Sequence, residues 1–144
     1  MKYVKQEQKL GCVIACIAMI LEEDYWTIRN NFPKKRFKDE IGVDTGLSIE
    51  WDASSYLFEK GYICYTKWRN VFYSQEDRTE EDFLTEFAPI HILSVELHGH
   101  AHACILKDGI IYDPYREGEY TFKDYEKINM MIGFWKIENF SLET

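Results

Sequence analysis

The sequence lacks the features that mark several classes of protein. Its four cysteines include no CxxC pair, and they are too few for a disulfide scaffold in a chain of 144 residues. No apolar run approaches the roughly 18 residues that span a bilayer, and the run from Cys12 to Leu21 has no signal-peptide cleavage site after it. We therefore expect free thiols, no membrane association and a cytoplasmic location.

Cofactor motifs are also missing. The sequence has no phosphate-binding glycine loop, no dinucleotide fingerprint and no EF-hand, so we expect no cofactor. It has no internal repeat and no low-complexity segment either. Residues 1–144 are predicted to form a single domain, because 46% of them are hydrophobic and can bury a core without staples.

Basic residues are in the minority. Lysine and arginine number 17 against 25 acidic residues, which gives a net charge of −8. An acidic surface repels phosphate backbones, so we expect no nucleic-acid partner. The run Lys34-Lys35-Arg36-Phe37-Lys38 departs from this balance. A solvated loop is the favoured interpretation of the run, and a contact for an acidic partner is the alternative.

The pattern of apolar residues and caps predicts helices first and strands afterwards. Helices are predicted at residues 12–23, from Asp24 to before Pro33, from Ser48 to Lys60, and from Thr79 to Phe87. Strands are predicted at residues 62–68, 90–97, 101–106, 110–112, 120–122 and 132–137, with a tight turn at Asp108-Gly109. The fold class is therefore α+β, with amino-terminal helices packed on a carboxy-terminal antiparallel sheet.

Cys12 is the candidate nucleophile. It follows Gly11 at the start of a helix that is apolar nearly all round. The free N–H groups and the dipole at that end of a helix favour a thiolate, and they can stabilise an oxyanion on a carbonyl that the sulfur attacks. Gln6 offers side-chain donors from the preceding loop, with Gln8 as a competitor for that role. Cys16, Cys64 and Cys104 are interpreted as packing residues.

His102 and Asp113 are the candidate base and its orienting carboxylate. They belong to two strands joined by the Asp108-Gly109 turn, and we expect them to lie opposite each other across this hairpin. A carboxylate beside an imidazole fixes its tautomer and stabilises the protonated ring. An alternative uses His98, His100 and His102 as zinc ligands on one strand face, which requires an unbroken strand at Gly99.

These motifs resemble those of the papain-like cysteine peptidases, in particular the compact C39-like branch with small bacterial and phage members. The resemblance rests on Gln-x5-Cys at the start of a buried helix and on His-Ala-x9-Asp-Pro, and covers roughly residues 4–24 and 88–114. It implies a papain-like fold with Cys12 as nucleophile, His102 as general base and acid, Asp113 as orienting residue and Gln6 as oxyanion-hole donor. Val13 departs from the glycine that often follows the nucleophile.

The sequence thus predicts a thiol hydrolase that cleaves a peptide, isopeptide or related amide bond, with a peptide or protein as substrate and no metal. Two alternatives remain open at this point. The first is a papain-like binding module with a weak or inactive triad, for example an inhibitor of a host protein. The second is the zinc-binding domain.

Overall fold

A computed structural model describes residues 1–69 and 88–138. Within these ranges the α-helices are α1 (Cys12–Leu21), α2 (Tyr25–Arg29) and α3 (Ser54–Glu59). The strands of the same ranges are β1 (Tyr62–Arg69), β2 (Ile90–Leu97), β3 (His100–Lys107), β4 (Ile110–Asp113), β5 (Arg116–Tyr120) and β6 (Lys127–Lys136). Helices and an antiparallel sheet together confirm the α+β class.

Helix α1 forms the centre of the molecule because almost every side chain in it is apolar. Residues 13–20 are all buried. The helix ends where Glu22 adopts a left-handed conformation with φ of 56°. Helix α2 follows and is capped by Asp24, whose carboxylate accepts a hydrogen bond from the Thr27 N–H, as the sequence predicts.

The helical region after residue 47 is less regular than the sequence suggests. Ser48 caps it, and its hydroxyl accepts hydrogen bonds from the N–H groups of Trp51 and Asp52. The first turn, Ile49–Ala53, is a π-helix, and α3 follows directly. The predicted cap and the predicted end near Gly61 are confirmed, whereas the π-turn has no signal in the sequence.

All pairings in the six-stranded sheet are antiparallel, in the order β1-β6-β2-β3-β4-β5. Two-residue turns with positive φ at both positions, His98-Gly99 and Asp108-Gly109, join β2 to β3 and β3 to β4. Positive φ at both positions matches the right-handed twist of the strands that such turns connect. The predicted Asp108-Gly109 hairpin is therefore confirmed.

The sheet has a buried layer on each face. On one face, Ile92, Ala103 and Ile105 pack with α1 in the main core. On the other, Leu93, Cys104 and Leu106 pack with residues from the segment that follows β5. Because successive residues of β3 point to opposite faces, this strand contributes to both layers.

Two predicted strands differ from those of the structure, and one predicted helix lies outside the described residues. The strand predicted at 120–122 is wrong: β5 ends at Tyr120, and Phe122–Asp124 forms a 3-10 turn. A reciprocal capping box between Thr121 and Asp124 stabilises this turn and competes with strand formation. Strand β6 begins five residues earlier than predicted, at Lys127. The helix predicted from Thr79 to Phe87 lies outside the described residues.

No helix in the described ranges has the length and apolarity to cross a bilayer.

Gly11 is required by a close approach of a tyrosine side chain. A Cβ atom at this position would lie 2.0 Å from the Tyr25 hydroxyl oxygen. The same hydroxyl donates a 2.8 Å hydrogen bond to the Gln8 side-chain oxygen. Tyr25 thereby ties α2 to the loop that leads into α1, and only glycine leaves room for it.

We expect Gly11→Ala to destabilise the protein by about 1–3 kcal/mol through overpacking, and Tyr25→Phe by about 1 kcal/mol through the lost hydrogen bond. In the double variant the oxygen at 2.0 Å is absent and only the ring carbons at 2.8 and 3.0 Å remain, so the combined loss should be smaller than the sum of the two single losses. Urea denaturation of the four proteins measures this coupling. Fully additive losses would show that the Gly11–Tyr25 approach does not constrain the fold.

Candidate functional site

Cys12 is the first residue of α1 and lies at the edge of an open cleft. Its side chain is only partly buried, and no side chain among the described residues caps the start of the helix. The first N–H groups of a helix have no partners within the helix, so these donors are oriented toward the start of α1. The sulfur therefore lies where a bound carbonyl can meet both the thiol and the backbone donors.

The cavity beside Cys12, the thiol cleft, has a volume of about 400 Å³. One wall comes from the segment before α3, including Leu47, Ile49 and Trp51. The opposite wall is the start of β3, where His102 faces the cleft between two alanines. Trp51 is 75% exposed, so it forms a large apolar rim on the cleft.

His102 is bound to Asp113 through a 2.5 Å contact between its Nε2 atom and Oδ1. The expected adjacency is thus present, but its geometry differs from the prediction. Ile105 pairs with Tyr112, and this register carried one step further places Cys104 opposite Asp113. His102 therefore reaches Asp113 diagonally. Diagonal neighbours lie within reach of long side chains, which explains the contact.

Asp113 is held by four groups around its buried carboxylate and carbonyl. Its side chain is 1% exposed. The Oδ1 atom also accepts a 2.8 Å hydrogen bond from the Tyr115 N–H, and Oδ2 accepts one of 2.8 Å from the Tyr125 hydroxyl. The Tyr3 hydroxyl donates to the Asp113 carbonyl oxygen at 2.6 Å. These contacts leave the carboxylate little freedom to turn away from His102.

The electrostatics of the pair favour the charged forms of both groups. Burial alone lowers the pKa of His102, but side-chain interactions with Asp113, Cys104 and Cys12 outweigh it and raise the pKa. Burial raises the pKa of Asp113, but the hydrogen bond and charge of His102 lower it overall, with help from Tyr115 and Tyr125. An imidazolium bound to a carboxylate is therefore the stable state, with the Nδ1 side of the ring left for other partners.

Gln6 does not present its amide to the thiol cleft in this structure. Its Nε2 atom donates to the carbonyl oxygens of Gln8 and Lys9 at 3.0 and 3.1 Å, which uses both amide hydrogens. Its backbone N–H binds the Pro114 carbonyl oxygen. Gln6 thus links the loop before Cys12 to the end of β4, and its role as an oxyanion donor stays a prediction.

The zinc arrangement through three histidines does not form. His98 has φ of 53° in the turn between β2 and β3, so the strand is broken at Gly99 and the three side chains do not share one strand face. One group of potential ligands does occur in the described ranges: His102, Cys104 and Asp113 have ligand atoms within 4.8 Å of one another. Both oxygens of Asp113 already accept hydrogen bonds, so a cation there would have to displace them.

The other cysteines divide by burial. Cys16 and Cys104 are fully buried, as predicted for packing residues, and burial raises the pKa of both thiols. The prediction for Cys64 is wrong, because it is exposed on β1. Strand β1 lies at the edge of the sheet. Of the four free thiols, only Cys12 lines the cleft that also contains His102.

Sequence reasoning missed the three tyrosines that hold Asp113. Tyr115 follows the aspartate by two residues, and an aspartate that accepts an N–H two residues on is a common turn signal. Tyr125 and Tyr3 lie in other segments, and no local pattern links them to Asp113.

A scan against protein-family models finds no match to this chain, and a search of curated proteins finds none either.

Asp113→Asn tests the charged pair through the pH dependence of stability. The raised pKa of His102 contributes stability that is complete below its ordinary value of 6.5 and is lost as the pH rises toward the folded value. The lowered pKa of Asp113 contributes stability that is complete above 3.8 and is lost as the pH falls. The destabilisation should therefore be greatest near pH 5.5, at roughly 3–5 kcal/mol, and smaller at about pH 3 and pH 9.

Urea denaturation at the three pH values provides the measurement. Asp108→Asn is the matched control, because the same chemical change then falls on an exposed turn residue that asparagine also suits. Its expected cost at pH 5.5 is below about 0.5 kcal/mol. A destabilisation by Asp113→Asn that did not vary with pH would rule out a charged pair.

Proposed function

We propose that this protein is a cysteine-dependent hydrolase that cleaves a peptide, isopeptide or related amide bond through a thioester. The observation that supports this most strongly is the meeting of Cys12 and His102 in one open cleft, with the histidine ring fixed by a buried Asp113. A thiol, an imidazole and an orienting carboxylate are the parts that nucleophilic cysteine catalysis needs.

In the acylation step, the Cys12 sulfur attacks the carbonyl carbon and a carbon–sulfur bond forms. The oxygen of the tetrahedral intermediate carries the negative charge, which the N–H groups at the start of α1 stabilise. The carbon–nitrogen bond then breaks, and His102 gives its proton to the leaving amine. The contact of Nε2 with Asp113 leaves Nδ1 as the nitrogen for this transfer.

In the deacylation step, water attacks the thioester while His102 accepts a proton from it. The carbon–sulfur bond breaks, and the products are a carboxylate and the regenerated thiol. The net reaction consumes one water for each amide bond. Asp113 stays ionised throughout, because its role is to orient the ring and to stabilise the imidazolium.

The resemblance to papain-like peptidases supports the choice of an amide substrate and a papain-like fold. A buried helix that begins with the nucleophile and packs against a strand with the base agrees with that architecture. The free thiols agree with a reducing compartment such as the cytoplasm. A peptide or protein substrate suits a cleft that is open and largely apolar at its rim.

One observation favours a second candidate, a papain-like binding module with little catalytic power. Gln6 donates both amide hydrogens to backbone carbonyls, so it offers none to an oxyanion without turning. Val13, the residue after the nucleophile, is a cleft-lining position, although its side chain is only 4% exposed. The two candidates differ in the reactivity of Cys12 and in turnover.

Selective alkylation tests the pairing of Cys12 with His102. We expect iodoacetamide at about pH 6.5 to modify Cys12 at least tenfold faster than the exposed Cys64, because His102 lines the same cleft and an adjacent base activates a thiol nucleophile. Peptide mapping by mass spectrometry gives both rates in one sample. In His102→Gln the Cys12 rate should fall to that of Cys64.

His100→Gln is the matched control for this experiment, since His100 is exposed on the same strand and does not line the thiol cleft. It should leave both alkylation rates unchanged. Equal rates for Cys12 and Cys64 in the unaltered protein would contradict a paired thiol and would favour the binding module.

Hydrolysis of a fluorogenic peptide library tests the reaction itself. We expect Cys12→Ala to abolish turnover and Cys64→Ala to leave it unchanged. Gln6→Ala should lower kcat about a hundredfold if the amide turns toward the oxyanion during the reaction, and should leave kcat unchanged if it only braces the loop. Turnover that persists in Cys12→Ala would exclude the proposed mechanism.

A further inference from the structure

A second cavity lies beside the loop that leads to Cys12. It has a volume of about 590 Å³, within the range of ligand-binding pockets. Its walls come from the Gln8–Gly11 loop, from the end of α2, and from residues 34–45. The basic run singled out in the sequence supplies three of its lining residues, Lys34, Phe37 and Lys38. We call it the basic cavity.

The charged residues that line the basic cavity are mostly positive. One carboxylate lines it, that of Asp44. The four lining cations are Lys9, Arg29, Lys34 and Lys38. Lys38 is bound to Asp44 at 2.5 Å, which leaves three cations without an acidic partner among the lining residues. This contrasts with the net charge of −8 for the whole chain. A concave surface of one sign concentrates ligands of the opposite sign.

Arg29 is the best placed of these cations. Its guanidinium lies over the Phe37 ring, with 3.5 Å between the guanidinium carbon and the ring centroid. This contact fixes the plane of the group, as a bidentate site for a carboxylate requires. Its Nε atom is buried without a hydrogen-bond acceptor, and no carboxylate in the described ranges forms an ion pair with the guanidinium.

The basic cavity and the thiol cleft are lined by neighbouring residues of the chain. Gly11 lines the former and Cys12, the next residue, lines the latter. In a second segment Thr45 lines the basic cavity and Leu47, two residues later, lines the thiol cleft. The two cavities are therefore lined by neighbouring residues of the same two segments. The walls of the basic cavity also include apolar side chains, among them Leu10 and Val43, which suit a polypeptide better than a small hydrated anion.

We propose that the basic cavity binds an acidic segment of a peptide or protein partner, with a glutamate or aspartate carboxylate on Arg29. This binding does not depend on hydrolysis at Cys12. It therefore holds whether the protein cleaves its partner or only binds it.

Isothermal titration calorimetry with the full chain tests the proposal. The probe is a blocked peptide of four glutamates and one leucine, and its control is the same peptide with glutamine in place of glutamate. We expect binding of the glutamate peptide only, and a weaker affinity as NaCl rises from about 50 to 300 mM. Arg29→Gln should weaken the affinity at least about tenfold, because a charge-assisted bidentate contact is lost.

Arg36→Gln is the matched control, since Arg36 belongs to the same basic run but forms an ion pair with Asp52 and does not line the basic cavity. It should keep the affinity within about twofold. Lys34→Gln, at an exposed lining position, gives a second variant should Arg29→Gln fail to fold, and should weaken binding about threefold.

Equal binding of the glutamine peptide, or equal losses from Arg29→Gln and Arg36→Gln, would overturn the proposal. So would binding of inorganic phosphate with no binding of the glutamate peptide, because the cavity would then be a small-anion site. The Cys12 alkylation rate in Arg29→Gln should match that of the unaltered protein. The alkylation rate tests the hydrolase proposal and the calorimetry tests binding of the acidic peptide, so each proposal can fail without the other.

Discussion

The ion pair between His102 and Asp113 is the interaction on which the rest of the structure depends. A carboxylate that is 1% exposed must be compensated, and the protein does so with an imidazole, a tyrosine hydroxyl and a backbone N–H. Those partners come from β3, from the turn after β4 and from the segment after β5. The same contacts that stabilise the carboxy-terminal half therefore also orient the candidate base.

The amino-terminal segment joins this network from the other side. Tyr3 and Gln6 bind the backbone carbonyls of Asp113 and Pro114, so the chain is attached to the end of β4 just before it turns into α1. Tyr25 then restricts the last residue before the helix, through its approach to Gly11. The position of Cys12 is fixed by both sets of contacts, and the thiol meets the histidine because two distant segments share one anchor.

The two cavities differ in the chemistry of the side chains that line them. The thiol cleft has the Cys12 thiol, the His102 imidazole and an apolar rim, whereas the basic cavity has several cations beside apolar side chains. Gly11 lines the basic cavity and the next residue, Cys12, lines the thiol cleft. In an acidic protein, a local excess of cations attracts acidic segments while the remaining surface repels them, which restricts where such a segment can bind.

The sequence by itself determined the features that depend on neighbouring residues. The caps at Asp24 and Ser48, the turn at Asp108-Gly109 and the buried α1 were all predictable, because capping, turn conformation and apolar periodicity act within a few residues. The hairpin also indicated the contact between His102 and Asp113, although not its diagonal register.

Tertiary structure decided whatever depends on segments far apart in the chain. It bound the Gln6 backbone N–H to the Pro114 carbonyl oxygen, exposed Cys64 on an edge strand and brought Tyr125 to Asp113. It also turned the basic run into the wall of a cavity with Arg29. No local pattern encodes these outcomes, because each depends on which surfaces the packing of α1 against the sheet leaves open or closes.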